Sequence, residues 1–144
     1  MNAFEQAKSL IMISKIEAIV YLFKSEFPDS LADLKPWIKN AETEKFEDTN
    51  SIDIGFHFPQ LNFPCQCRSI LMQVRLDREE KNKEFKLIGI ELSGYETSHQ
   101  LWTFSTIGNW QFLGAFPPTI RTQEKLKKVC SQIIKLFVTI NIFN

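Results

Sequence analysis

From Ser51 onward apolar residues recur at every second position, in segments joined by connections too short to hold a crossover. That period is the period of strands, and it predicts them at 51–58 (SIDIGFHF), 69–77 (SILMQVRLD), 85–93 (FKLIGIELS), 99–106 (HQLWTFST) and 110–114 (WQFLG). Ile70, Met72, Val74 and Leu76 alternate with Ser69, Gln73, Arg75 and Asp77, as in a strand with one face on a core and one in water. Arg78–Glu84 reads as a charged hairpin loop, Tyr95–Ser98 as a second, and Ile107-Gly108-Asn109 as a tight turn. A parallel return needs roughly a dozen residues or more, so these connections permit antiparallel neighbours alone. The expected sheet is a five-stranded antiparallel meander.

The flanks carry the other period. Residues 3 to about 26 hold neither Gly nor Pro and read as one long helix. Phe4, Ala7, Leu10, Ile11, Ser14, Ala18, Tyr21 and Leu22 form one stripe, and Ile13, Ile16, Val20 and Phe23 widen it. A helix apolar on more than one side is expected to be sandwiched. After Pro28, Asp29 or Ser30 is placed to cap a short helix over Ser30–Asp33, with a further turn at Pro36-Trp37-Ile38. Asn40–Asn50 is acidic and turn-rich, a surface linker. Pro117 and Pro118 close the sheet, and Thr119 or Thr122 caps a last helix over 120–137. The tail 138–142 fits an edge strand or a helical continuation. The whole is read as a single α+β domain over 1–144. It has a helical region at 1–40, the antiparallel sheet at 51–114 and a C-terminal helix at 119–140, both long helices covering one sheet face.

At 144 residues such a domain needs neither disulfide nor metal to fold. Five glycines, none before Gly55, weigh against a glycine-rich phosphate loop. Thirteen Phe imply a bulky aromatic core or a docking surface. Net charge is zero, with 7 Lys/Arg against 10 Asp/Glu in 1–72 and 10 against 7 in 73–144, so no global field favours nucleic acid or anionic lipid. Three cysteines are too few for a secreted disulfide framework. The apolar run Leu10–Ile13 is too short to span a bilayer and has no basic segment before it. A cytoplasmic setting without membrane contact is expected.

Motifs that force a chemistry are missing: there is no HExxH, Walker loop, GxGxxG or GxSxG. His57, between Phe56 and Phe58, occupies a solvent-facing strand position, and His99 is the other histidine. Cys65-Gln66-Cys67 has the look of a metal half-site that His57, with Cys130 or His99, would complete, but its spacing is poor for zinc. Two small, partly buried residues are the favoured reading, and neither metal nor cofactor is expected. Asp53 and Glu91 are acids inside strands, and would serve as bases only if burial raised their pKa values. Trp102, Phe104, Trp110 and Phe112 are read as core.

Two surfaces are candidates for a partner. Phe58, Leu61, Phe63 and Phe116 lie in segments more apolar than loops need to be. Arg121, Lys125, Lys128 and Lys135 line one face of the last helix, where solvation is the plainer reading and phosphate contact the bolder. The expectation is a non-enzymatic protein-interaction module, adaptor or chaperone-like. It forms a homodimer and binds another protein through Phe58, Leu61, Phe63, Phe116, Arg121, Lys125 and Lys128 or through a sheet face. The alternative is a small-molecule pocket or small enzyme between sheet and helices, with Asp53, His57, Glu91 and His99 as its polar groups.

Overall fold

A computed structural model describes residues 1–38, 40, 43, 48, 50–78 and 85–138. Its elements are α1 (Ala3–Gln6), α2 (Leu10–Glu26), β1 (Leu31–Asp33), β2 (Ser51–Asn62), β3 (Cys67–Arg78), β4 (Phe85–Glu96), β5 (His99–Ser105), β6 (Phe112–Leu113) and α3 (Ile120–Leu136). The sheet has the order β1-β2-β3-β4-β5-β6 with each neighbouring pair antiparallel, which is a meander of six strands rather than five.

The additional strand is the segment expected to be a short helix. Leu31, Ala32 and Asp33 pair with His57, Phe56 and Gly55. Ser30 does not cap; its buried hydroxyl donates back to the Phe27 carbonyl at 2.7 Å. Three residues gain little as a helix, since nucleation costs more than one turn returns, whereas a waiting strand edge satisfies them at once. Nor does Pro36-Trp37-Ile38 form a helical turn. Asn2 holds it instead, donating from Nδ2 to the Trp37 carbonyl and accepting from the Trp37 amide at Oδ1, both at 3.1 Å.

The single helix expected from residue 3 to 26 is also not formed as one element. Ser9 ends the continuity: its hydroxyl accepts from the Met12 amide at 3.1 Å and starts α2 afresh. The four residues of α1 are tied to the sheet, through Phe4 N to Leu34 O (3.0 Å) and Gln6 Nε2 to Ser51 O (2.9 Å). Those ties compete with helix continuation and win.

Ile52, Ile54 and Phe56 of β2, Ile70, Met72 and Val74 of β3, Ile90 and Leu92 of β4, and Trp102 and Phe104 of β5 face one side. There they meet Met12, Ile16, Ile19 and Phe23 of α2 and Leu126, Val129, Cys130 and Ile133 of α3. Phe23 stacks on Phe56 with ring centroids 3.8 Å apart. The stripe of α2 that is buried therefore differs from the expected one. Leu10, Ile11 and Tyr21 point outward, 84%, 72% and 72% exposed. With apolar residues on most sides of the helix, its period does not set its phase; contact with the sheet does. Gly94 permits the core's widest element, because a Cβ there would sit 2.3 Å from the indole of Trp102. That indole donates to the Cys65 carbonyl at 2.8 Å.

Strands β2 and β4 run longer than expected, with register shifts between His57 and Asn62 and between Gly94 and Tyr95. The expected connection at 59–68 is thus mostly strand, with its tip at Phe63–Gln66, and Tyr95–Ser98 shrinks to the turn Thr97-Ser98. The charged loop at 79–84, most of the linker at 40–50 and the tail beyond 138 lie outside the described residues. Among the described residues no helix is long and apolar enough to cross a membrane.

Candidate functional site

Because both long helices cover one face, most of the other face of the sheet stays open, closed over only at its β2 end by Trp37 and Met1, and strand alternation sends the polar residues there. Register aligns them in rows. Asp53, Gln73, Glu91 and Ser105 form one row across β2 to β5, and Leu71, Ser93, Thr103 and Leu113 form the next. Between them the surface dips into an open cleft of about 820 Å³, walled by Gln73, Arg75, Glu91, Ser93, Tyr95, Gln100, Thr103 and Ser105, with Leu71, Ile107 and Leu113 as apolar patches. Arg75 sits in it between two acids, 3.1 Å from Asp48 and 3.2 Å from Glu91. These pairs are part-exposed, so they orient the guanidinium more than they stabilise the fold.

The four polar pocket candidates do not converge, and the space between sheet and helices, where a pocket was expected, is occupied by the core. Glu91 alone lines the cleft. Asp53 shares its row but is fully buried: its Oδ2 accepts from Trp37 Nε1 at 2.6 Å and lies 3.3 Å from the Met1 amine. Its Oδ1 has no hydrogen-bond partner among the described residues. His57 is on the open face, between Asp33 Oδ2 at 3.0 Å and Ser69 Oγ at 2.8 Å. His99 stands at the far end of β5, beside a shallower hollow of about 490 Å³ that also includes Phe116.

The partner-binding candidates divide. Phe58 is buried, edge-on to Phe27 at 6.2 Å, and belongs to the core, because β2 continues through it. Phe63 and Phe116 are exposed, and Leu61 is borderline. A hydrogen bond from the Thr119 amide to the Pro64 carbonyl, 2.9 Å, brings the hairpin tip against the segment that carries Phe116. On α3, Arg121 is exposed, Lys125 lies 6.0 Å from the Phe27 ring centre, and Lys128 pairs with Glu26 at 2.8 Å. Part of the basic stripe therefore serves to join α3 to the chain around α2.

Cys65, Cys67 and Cys130 are buried and unpaired. A hydrogen bond with Cys67, together with burial, pushes the Cys65 thiol up, and burial pushes Cys130 up to about 12. His57 faces the opposite side of the sheet from them. Sequence reasoning missed Asp33, Ser69, Arg75 and Tyr95. Arg75 was legible as the one cation in an alternating strand, but Asp33 was masked by its false helical context.

Residues 4–139 match a family described as a domain of unknown function. No curated protein and no solved structure matches the chain.

Proposed function

The chain belongs to that family of domains of unknown function, and on this premise we propose that it is a protein-interaction module, adaptor- or chaperone-like, that receives an extended segment of another protein in the cleft of its open sheet face. The observation that carries this reading is the cleft's position and lining. It lies on the face that no helix covers, and its amide and hydroxyl side chains both donate and accept hydrogen bonds. An extended chain has both kinds of backbone group to satisfy, and Leu71 and Leu113 give its apolar side chains a place to rest. The exposed Phe63 and Phe116 at one end of the sheet extend the contact.

Self-association belongs to the same reading, through the outward Leu10, Ile11 and Tyr21 of α2, and the three unpaired thiols suit a reducing, cytoplasmic setting. A random-peptide display selection against the full chain tests the cleft. Enriched peptides should lose at least about tenfold in affinity, about 1.4 kcal/mol, when Ser93→Trp fills the cleft floor, with the melting transition retained. Failure to enrich, or binding indifferent to that substitution, removes the proposal.

A further inference from the structure

Three side chains from three adjacent strands meet on the open face. His57 of β2 pairs in register with Leu31 of β1 and Ser69 of β3, and Ser69 pairs in turn with Tyr95 of β4. His57 Nδ1 lies 2.8 Å from Ser69 Oγ, and Nε2 lies 3.0 Å from Asp33 Oδ2. Asp33 is itself held, since its Oδ1 accepts from the Lys35 amide at 2.9 Å. The proton positions follow from the chemistry of the acid. An ionised carboxylate only accepts, so in the neutral ring Nε2 carries the proton and Nδ1 presents its lone pair. Ser69 then donates its hydroxyl proton to that lone pair. Gly55 leaves room for the arrangement, because a Cβ there would stand 3.3 Å from His57 Nε2 and 3.3 Å from Pro36 Cβ. The trio borders the cleft: Tyr95, the register partner of Ser69, and Leu71, two residues along the same face, both line it.

We propose that Ser69 is a nucleophile toward carboxylic esters, with His57 as its general base and Asp33 as a positioning residue. A base within hydrogen-bond reach of a hydroxyl, oriented by a third group, is the arrangement that activates serine. The acyl group is seated in the cleft. Ser69 Oγ attacks the ester carbonyl and its proton passes to His57 Nδ1, while Asp33 holds the imidazolium through Nε2. The ester C–O bond then breaks, and His57 returns the proton to the departing alkoxide, which leaves as the alcohol. Water attacks the acyl-Ser69 ester, gives a proton to His57, and the carboxylic acid departs as that proton restores the Ser69 hydroxyl.

The test exposes the full chain to a fluorophosphonate reporter and maps the adduct by mass spectrometry, with p-nitrophenyl acetate hydrolysis in parallel. One adduct on Ser69 is expected, with both labelling and hydrolysis lost in Ser69→Ala. His57→Gln should slow labelling by about a hundredfold or more. Asp33→Asn should lower the maximal labelling rate while the half-saturating reagent concentration stays put, a split that a merely structural role would not produce. No adduct, an adduct elsewhere, or labelling of Ser69 as fast in His57→Gln as in the unaltered chain overturns the proposal and leaves the trio a cross-strand polar tie. Ser69→Ala deletes one oxygen, so the test stays decisive even where a change at Asp33 loosens β1. Peptide binding in the cleft is read out separately, so failure of either experiment is distinguishable from failure of the other.

Discussion

Gly94 and Cys130 show how single positions govern the interior. Trp102 lies flat across β4 because residue 94 has no side chain; with a Cβ 2.3 Å from its ring, something must move. Gly94→Ala is therefore expected to destabilise the domain by about 1–3 kcal/mol, the usual cost of overpacking, with a shift in tryptophan emission, both read by urea denaturation. Cys130 gives a pH prediction. Its thiol is raised from 9.0 to about 12 by burial, so above pH 9 the unfolded chain releases this proton while the folded chain keeps it. Stability contributed by the neutral thiol is then complete below pH 9 and is lost as pH rises from 9 toward 12. Cys130→Ala should flatten that alkaline decline, whatever it does to stability at pH 7.

At the scale of elements, the boundaries that differ from sequence expectation are those where a polar side chain chose between two backbones. Ser9 caps α2, and Ser9→Ala should cost about 1 kcal/mol in the midpoint of denaturation. Ser30 looked like the better cap, yet it turns back to Phe27, and the residues after it complete the sheet edge. Local signals at the two serines are alike; what separates them is that β2 lies within reach of Leu31–Asp33, and only folding makes that so. The α3 boundaries were more legible, since Thr119 accepts from the Thr122 amide and, among the described residues, no strand pairs with Ile120–Leu136.

For the whole molecule, two helices on one face produce a division of labour: a filled aromatic core on that side and a polar, indented surface on the other. The outward apolar residues of α2 are the feature least suited to a lone chain. Light scattering after size exclusion should give a mass near twice the 16.8 kDa of the chain, and Ile11→Glu with Tyr21→Glu should return it to the single-chain value without lowering the melting temperature. A single-chain mass at high concentration for the unaltered protein would remove the homodimer.

Period-two patterning and short connections were enough to determine an antiparallel meander and which residues of its central strands face the core, and the helical period of the flank was enough for the C-terminal helix, because alternation, helical spacing and chain reach are local properties. The phase of α2, the conversion of Leu31–Asp33 into a strand, the burial of Phe58 and the meeting of Asp33, His57 and Ser69 were decided only in three dimensions. Each depends on an edge or a surface contributed by residues far along the chain, and no spacing within a segment encodes the shape of the neighbour that it will meet.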